Sequence, residues 1–336
     1  MRIEGKRVVV TGGAGFIGSH VVDLLLDKGN HVLIVDNFST GKEANIQHHE
    51  GNPRFTVARA DVRDLAAMVQ LAQGADVILH LAAACLRLSL YDPETVHQVN
   101  STGSLNMCRA ALENQVQRFV YISSSESYGT ANTVPMREDH SLNPTTVYGA
   151  SKLAGEAYTG AFWHTYGLPI IIIRPFNTYG PREHYEGPSA EVIPRFVLRT
   201  MAGLPVIIFG DGTQARDFTW VGDTARGIVM AAECDALVGE CVNVARGEQV
   251  SIQELSSIVQ ASLKRTDLEP IYVPQGRPGD VYRHFADISK ASRLMGFEPA
   301  VGIREGVTRY IDWVRDQNID AGQWAIQDPA MNWQTQ

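Results

Sequence analysis

Arg7-Val8-Val9-Val10-Thr11-Gly12-Gly13-Ala14-Gly15-Phe16-Ile17-Gly18 is the strongest local signal in the chain. A run of valines leads without a break into three glycines spaced G-x-x-G-x-x-G, and a helix-compatible segment follows. Gly12 permits a tight turn, Gly15 lets the backbone approach a pyrophosphate, and Gly18 lets the helix pack close to the strand. A helix that starts here offers unpaired N–H groups and the positive end of its dipole to an anion. A second apolar run, His31 to Val35, ends in Asp36, eighteen residues beyond Gly18. A carboxylate in that place accepts hydrogen bonds from an adenosine ribose, which points to NAD rather than NADP. A glycine triplet alone is an ordinary turn; strand, helix and acid in register make it a dinucleotide site.

Working outward, strands are predicted at 6–11, 31–36, 54–58, 76–80, 118–122 and 169–174, each short and rich in valine and isoleucine. Helices are predicted between them at about 16–29, 64–72, 93–114 and 147–165. Strands apolar on both faces, alternating with helices, make an α/β fold: a doubly wound parallel Rossmann sheet. Beyond residue 180, proline and glycine become frequent, and helices at 191–202, 222–234, 251–263, 289–295 and 303–316 alternate with short strands. The expected division is an NAD-binding domain at 1–180, a smaller C-terminal substrate-binding lobe at 181–316 with some strands returning to the main sheet, and a polar tail at 317–336. On that frame the dinucleotide contacts fall on Gly12, Gly15, Phe16, Ile17, Gly18, Asp36 and Asn37. They continue at Asp61 and Val62 after the third strand, and at Leu81, Ala82 and Ala83 after the fourth, where small residues let a nicotinamide lie close.

Composition narrows the partners. The 336 residues are 44% hydrophobic and carry a formal charge of −8, with no basic run, which argues against nucleic acid and anionic membrane. Cys85, Cys108, Cys234 and Cys241 form no C-x-x-C pair, so reduced thiols in a cytoplasmic protein are the simplest expectation. The N-terminus reads as a strand rather than a leader, and no apolar run has transmembrane length. His48, His49 and His97 show no ligand spacing, so no metal is expected.

The catalytic signal is Tyr148-Gly149-Ala150-Ser151-Lys152. Its spacing puts Tyr148 and Lys152 on one helix face, one turn apart. A tyrosine titrates near pH 10, and a lysine ammonium with an oxidised nicotinamide nearby both favour its phenolate. Such a phenolate can remove a hydroxyl proton while hydride leaves the carbon. The fifth strand ends in Ser123-Ser124-Ser125-Glu126-Ser127-Tyr128-Gly129, at the edge where parallel sheets bind ligands. A serine there can share the substrate proton, or simply bond the local backbone.

With these pieces in view, the chain resembles the extended short-chain dehydrogenase/reductases of the nucleotide-sugar epimerase/dehydratase group. The resemblance also takes in Asp61-Val62-Arg63-Asp64, His80-Leu81-Ala82-Ala83, Asn100-Ser101-Thr102-Gly103, Arg174 to Pro181, and Gly210-Asp211-Gly212 through Arg216-Asp217-Phe218, and so covers nearly the whole chain. It implies a catalytic triad of Ser124, Tyr148 and Lys152, with bound NAD. It implies substrate contacts at Ser124, Asn177, Val192, Arg216, Arg277 and Asp280, and a homodimer built from the helices at 93–114 and 147–165. Two arginines on a diphosphate suit the guanidinium fork.

The resemblance implies oxidation of a sugar C4 hydroxyl, and the later steps divide the group. A 4-epimerase needs little beyond Ser124, Tyr148 and Lys152, and is the leading expectation, on a UDP-sugar or another NDP-hexose. A 4,6-dehydratase also needs a base at C5, a role open to Glu126. Its usual acid for the leaving hydroxyl is an aspartate where this chain has Ser125. A uronate decarboxylase carries a similar Ser-Glu pair, and Arg87 offers a partner for a sugar carboxylate. A non-catalytic NAD sensor is disfavoured because the triad is complete, and a small-alcohol dehydrogenase because of the diphosphate arginines.

Overall fold

The computed structural model describes residues 1–187, 190–274 and 279–327. Its first half alternates as expected. The order is β1 (Arg7–Thr11), α1 (Phe16–Asp27), β2 (His31–Asp36), β3 (Phe55–Arg59), α2 (Leu65–Leu71), β4 (Val77–His80), α3 (Pro93–His97), α4 (Gly103–Glu113), β5 (Arg118–Ile122), α5 (Val147–Tyr166) and β6 (Ile170–Pro175). The second half follows as β7 (Thr178–Tyr179), α6 (Val192–Met201), β8 (Ile207–Phe209), β9 (Ala215–Arg216), β10 (Thr219–Trp220), α7 (Val221–Glu233), β11 (Cys241–Val244), β12 (Val250–Ser251), α8 (Ile252–Ser262), β13 (Ile271–Val273), α9 (Ser289–Met295), α10 (Ile303–Asp316) and α11 (Ala321–Gln327).

Seven parallel strands form the central sheet in the order β11-β6-β5-β4-β1-β2-β3. The order reverses between β1 and β4, the switch point where open α/β sheets bind ligands. Alternate residues of β1 feed opposite cores: Val8 and Val10 pack under α1 and α7, Val9 under α2 and α4. That two-residue period makes one run of valines apolar on both faces. β11, from the second half of the chain, pairs with β6 in the main sheet. The rest of the lobe closes its own core, with Ile193, Val197, Leu255, Val259, Val307 and Tyr310 buried between α6, α8 and α10.

Two expectations change. The single helix expected at 93–114 is broken into α3, a wide π turn at Gln98–Thr102, and α4. The turn lets the Asn100 side chain leave the helix and bond the loop after β4: its Oδ1 accepts from Ala84 N at 2.7 Å and its Nδ2 donates to Ala84 O and to Ser151 Oγ, each at 3.0 Å. The tail begins as a docked helix: Trp324 of α11 meets Tyr185 edge to face at 5.9 Å. The remainder from residue 328, with Trp333, lies outside the described residues. Among the described residues no helix is long and apolar enough to cross a membrane.

Candidate active site

The glycine turn behaves as its spacing requires. Gly12 has φ +69, and a Cβ there would stand 2.8 Å from Ala82 N. A Cβ on Gly18 would stand 2.1 Å from Gly12 O, so helix and turn touch through bare backbone. α1 begins at Gly15 with no side-chain cap and no acid in its first turn. By contrast Asp64, Asp92 and Thr146 cap α2, α3 and α5. An uncapped start leaves N–H donors for an anion, as a pyrophosphate cradle demands. Asp36 is buried at the end of β2, where its Oδ2 accepts from Ala14 N at 3.0 Å and its Oδ1 from Phe38 N at 2.8 Å. Burial raises its carboxyl above the usual range. Asp61 accepts from Asn37 Nδ2 at 2.9 Å and from Arg63, whose hydrogen bonds hold its carboxyl well below the usual range. The predicted dinucleotide residues therefore gather along the carboxyl edge of β1, β2, β3 and β4, and the cradle fits NAD.

His80, at the end of β4, ties this edge together. Ser104 donates its hydroxyl to Asn100 O, so its oxygen is left to accept from His80 Nε2 at 3.1 Å. His80 Nδ1 must then accept from Thr11 Oγ1 at 2.7 Å, and that oxygen accepts from Ala82 N at 3.2 Å. Burial lowers the imidazole pKa to about 3, which keeps the ring neutral in this role. The chain of bonds fixes the Leu81–Ala83 loop against the glycine turn.

Ser124, Glu126, Tyr148 and Lys152 meet at the end of β5. Thr146 caps α5 through Gly149 N at 3.0 Å and starts the helix so that Tyr148 and Lys152 face the strand. Lys152 is buried and donates to Ile122 O at 2.6 Å, with its ammonium 4.8 Å from the Tyr121 ring. Burial lowers its pKa to about 7, against the pull of Glu156. Burial raises the phenol of Tyr148, the Ser124 hydroxyl beside it lowers it, and the charges of Glu126, Cys85 and Glu191 raise it again. Ser124 Oγ also accepts from Glu126 N at 3.2 Å, opening the short turn that carries Ser125 and Glu126. Ser125 is buried, whereas Glu126 is half-exposed.

Behind this group stands a pair that sequence reading missed. Glu156, one turn beyond Lys152, accepts from Arg174 Nε at 2.9 Å and Arg174 Nη2 at 2.6 Å, and from the Ser123 hydroxyl. Both side chains are about 5% exposed. The available signal was Glu156 at i+4 from Lys152 on a predicted helix.

Most of the residues expected to contact substrate line one cleft, from whose lining Ser124 is absent. Arg87, Asn177, Val192, Arg216 and Asp280 share it, with Arg195 and Arg199 from α6 and an apolar wall of Ile207, Phe209, Phe218 and Ile252. Arg277 lies outside the described residues. Arg216 donates to Asp280 Oδ1 at 2.6 Å. Asn177 Oδ1 is buried without a hydrogen-bond partner among the described residues. Arg195 and Arg199 were legible as an i, i+4 pair on a predicted helix but were not singled out. α6 also starts without a side-chain cap, because its N-cap residue Glu191 turns its carboxylate to Arg87 instead, with contacts of 2.6 and 3.0 Å. A second cavity, lined by Ser39, Gly41, Lys42, Cys85, His184 and Glu191, runs on toward Asp36.

Two side features fall outside the cleft. His48 and His49 both bond Asp23 Oδ1, at 2.9 and 2.7 Å, a convergence their sequence spacing hides. Arg182 donates to the other oxygen at 2.8 Å, so this carboxylate already has a cation beside it. All four cysteines are free thiols.

Comparison with known proteins places this geometry in context. The family model described as GDP-mannose 4,6 dehydratase matches residues 9–310. A putative UDP-glucose 4-epimerase of Methanocaldococcus jannaschii is 36% identical over 315 residues, covering 93% of this chain and 99% of the relative. Among solved structures, a UDP-N-acetylglucosamine 4-epimerase of Methanobrevibacter ruminantium is 35% identical with a TM-score of 0.87, covering 94% of this chain and 99% of that one. The dTDP-glucose 4,6-dehydratase DesIV of Streptomyces venezuelae, solved with NAD, is 30% identical with a TM-score of 0.88, covering 96% and 99%.

Proposed function

Because the chain belongs to the GDP-mannose 4,6-dehydratase family, within the extended short-chain dehydrogenase/reductases, and is an NAD-dependent nucleotide-sugar epimerase or dehydratase, we propose that it is an NDP-hexose 4-epimerase acting through a transient 4-keto sugar. The observation that carries this reading is the meeting of Ser124, Tyr148 and Lys152 at the end of β5, where the charge of Lys152 reaches His80 at the dinucleotide cradle and that of Glu191, in the wall of the arginine-lined cleft, reaches Tyr148. Tyr148 takes the proton of the sugar C4 hydroxyl, Ser124 holds that oxygen, and the Lys152 ammonium favours the phenolate. NAD, when bound, supplies the hydride acceptor and later donor at C4. For inversion the keto sugar presents its other face before Tyr148 returns the proton. Arg216, Arg195 and Arg199 hold the diphosphate, which anchors the nucleotide while the sugar turns.

One observation favours a second reading. Glu126 lies close enough to Tyr148 for its charge to act on the phenol. A 4-ketone acidifies the C5 proton, which Glu126 can remove and pass to the C6 hydroxyl as it leaves as water. With the hydride taken from C4 then delivered to C6 and a proton returned to C5, the reaction would be 4,6-dehydration. The test is to incubate the purified protein with UDP-, dTDP- and GDP-hexoses and analyse products by mass spectrometry and NMR. Unchanged mass with inverted C4 supports the epimerase; loss of one water supports the dehydratase. Glu126→Gln is expected to spare an epimerase within a few-fold and to slow a dehydratase by about 100-fold or more.

The proposal includes a homodimer. α4 and α5 pack side by side, and Ala150, Ala157 and Ala161 leave an exposed strip of small residues on α5. Ala157→Arg is expected to give a monomer by light scattering, with reduced activity because α5 also carries Tyr148. A fully active dimer from this variant would remove the idea.

A further inference from the structure

We infer that the Glu191–Arg87 pair makes the sugar subsite a filter for uncharged sugars, closed to uronates. The inference rests on the nucleotide-sugar reading above and concerns which sugars pass. Glu191 lines both cavities, the arginine-lined cleft and the one that runs toward Asp36. The charge of Glu191 also reaches the Tyr148 phenol, so a substrate with its diphosphate among the arginines and its C4 at Tyr148 comes within the field of this carboxylate. Both terminal nitrogens of the buried Arg87 fork donate to it, at 2.6 and 3.0 Å. In a bidentate pair of this kind the guanidinium is already committed, and a second carboxylate brought beside it meets the like charge of Glu191 as well.

The surroundings register the charge of Glu191. Glu183 is buried nearby, and its carboxyl is pushed well above the usual range first by burial and then by the charge of Glu191. The charges of Glu126 and Glu191 both act on Tyr148. A subsite with Glu191 in its wall and Arg87 already committed to it suits hydroxyl and acetamido groups, which accept and donate hydrogen bonds without adding charge. A C6 carboxylate would place another anion in a partly desolvated space, where like charges repel most strongly.

The test compares matched neutral and uronate substrates on the same base, such as UDP-glucose against UDP-glucuronate, with the corresponding pairs on thymidine and guanosine diphosphate. For the wild-type enzyme kcat/KM is expected to favour the neutral sugar at least 100-fold. Glu191→Gln, half-exposed and isosteric, is expected to narrow that ratio at least tenfold, mainly through a lower KM for the uronate. Arg87→Gln is expected to leave the exclusion in place or deepen it. A wild-type ratio within tenfold, or a ratio unmoved by Glu191→Gln, would overturn the filter. Failure of the neutral sugars on every base would instead overturn the nucleotide-sugar reading itself, which keeps the two failures apart.

Discussion

The two arginine–glutamate pairs of the site use the same chemistry to opposite ends. Behind the catalytic group, Arg174 and Glu156 are both about 5% exposed and belong to α5 and β6, elements locked into the sheet. In front of it, Arg87 is 9% exposed but its partner Glu191 is 47% exposed, at the bare start of α6. The rear pair is dry and closed on all sides, with Ser123 satisfying Glu156 and the Tyr128 ring stacked 4.6 Å from Arg174. It is framework, holding Lys152 at the strand end. The front pair, like Arg216–Asp280, borders open space and can answer to a ligand. An ion pair can thus be rigid scaffold or reading head depending on how many of its sides meet water.

That contrast can be broken at several points. The largest effect is expected where the two walls meet. Tyr148→Phe is expected to lower turnover by about 10³-fold, within the range for a positioned proton-transfer group, while substrate affinity stays within a few-fold. Arg174→Met comes next. It leaves Glu156 buried without its cation, and urea unfolding is expected to show a loss of about 3–5 kcal/mol. Loss of activity with unchanged stability would mean that the rear pair is not framework.

A pH series sharpens the same point. Burial holds Lys152 near 7 in the fold, against its ordinary 10.5. Between those values the unfolded chain binds a proton that the fold does not, so this residue makes stability rise with pH. Unfolding free energies measured from pH 7 to 9.5 are expected to climb more steeply for the wild type than for Lys152→Met. The smallest effect belongs to the front wall. Asp280→Asn, which removes a charge about a quarter exposed beside the cleft, is expected to cost less stability than Arg174→Met does. Its effect should appear as a shift in KM of several-fold, because it frees Arg216 from its present partner.

The parts of the molecule that sequence reading reached are those in which neighbours along the chain are neighbours in function. β1, the glycine turn and α1 are contiguous, and Tyr148 and Lys152 sit one turn apart. Periodicity and spacing report such features directly. Partners distant along the chain left no such trace. Glu191 stands 104 residues from Arg87, and Arg174 lies on the strand after the helix that carries Glu156. Only the folded sheet brings these together. The break in the 93–114 helix was hidden for a related reason: Asn100 leaves the helical pattern to bond a loop 16 residues upstream. His48 and His49 needed Asp23, on α1, before they formed a group at all.

On this reading the chain oxidises a sugar at C4 and gives the same hydride back. The return of that hydride is tested most directly by turning over an NDP-hexose carrying deuterium at C4 and locating the label by NMR. Deuterium kept at C4 with inverted configuration is the expected result. Deuterium moved to C6 with loss of water would keep the transient ketone and select the dehydratase reading. Label released from the product altogether, as in a dehydrogenase that exchanges its reduced cofactor each turnover, would contradict the account.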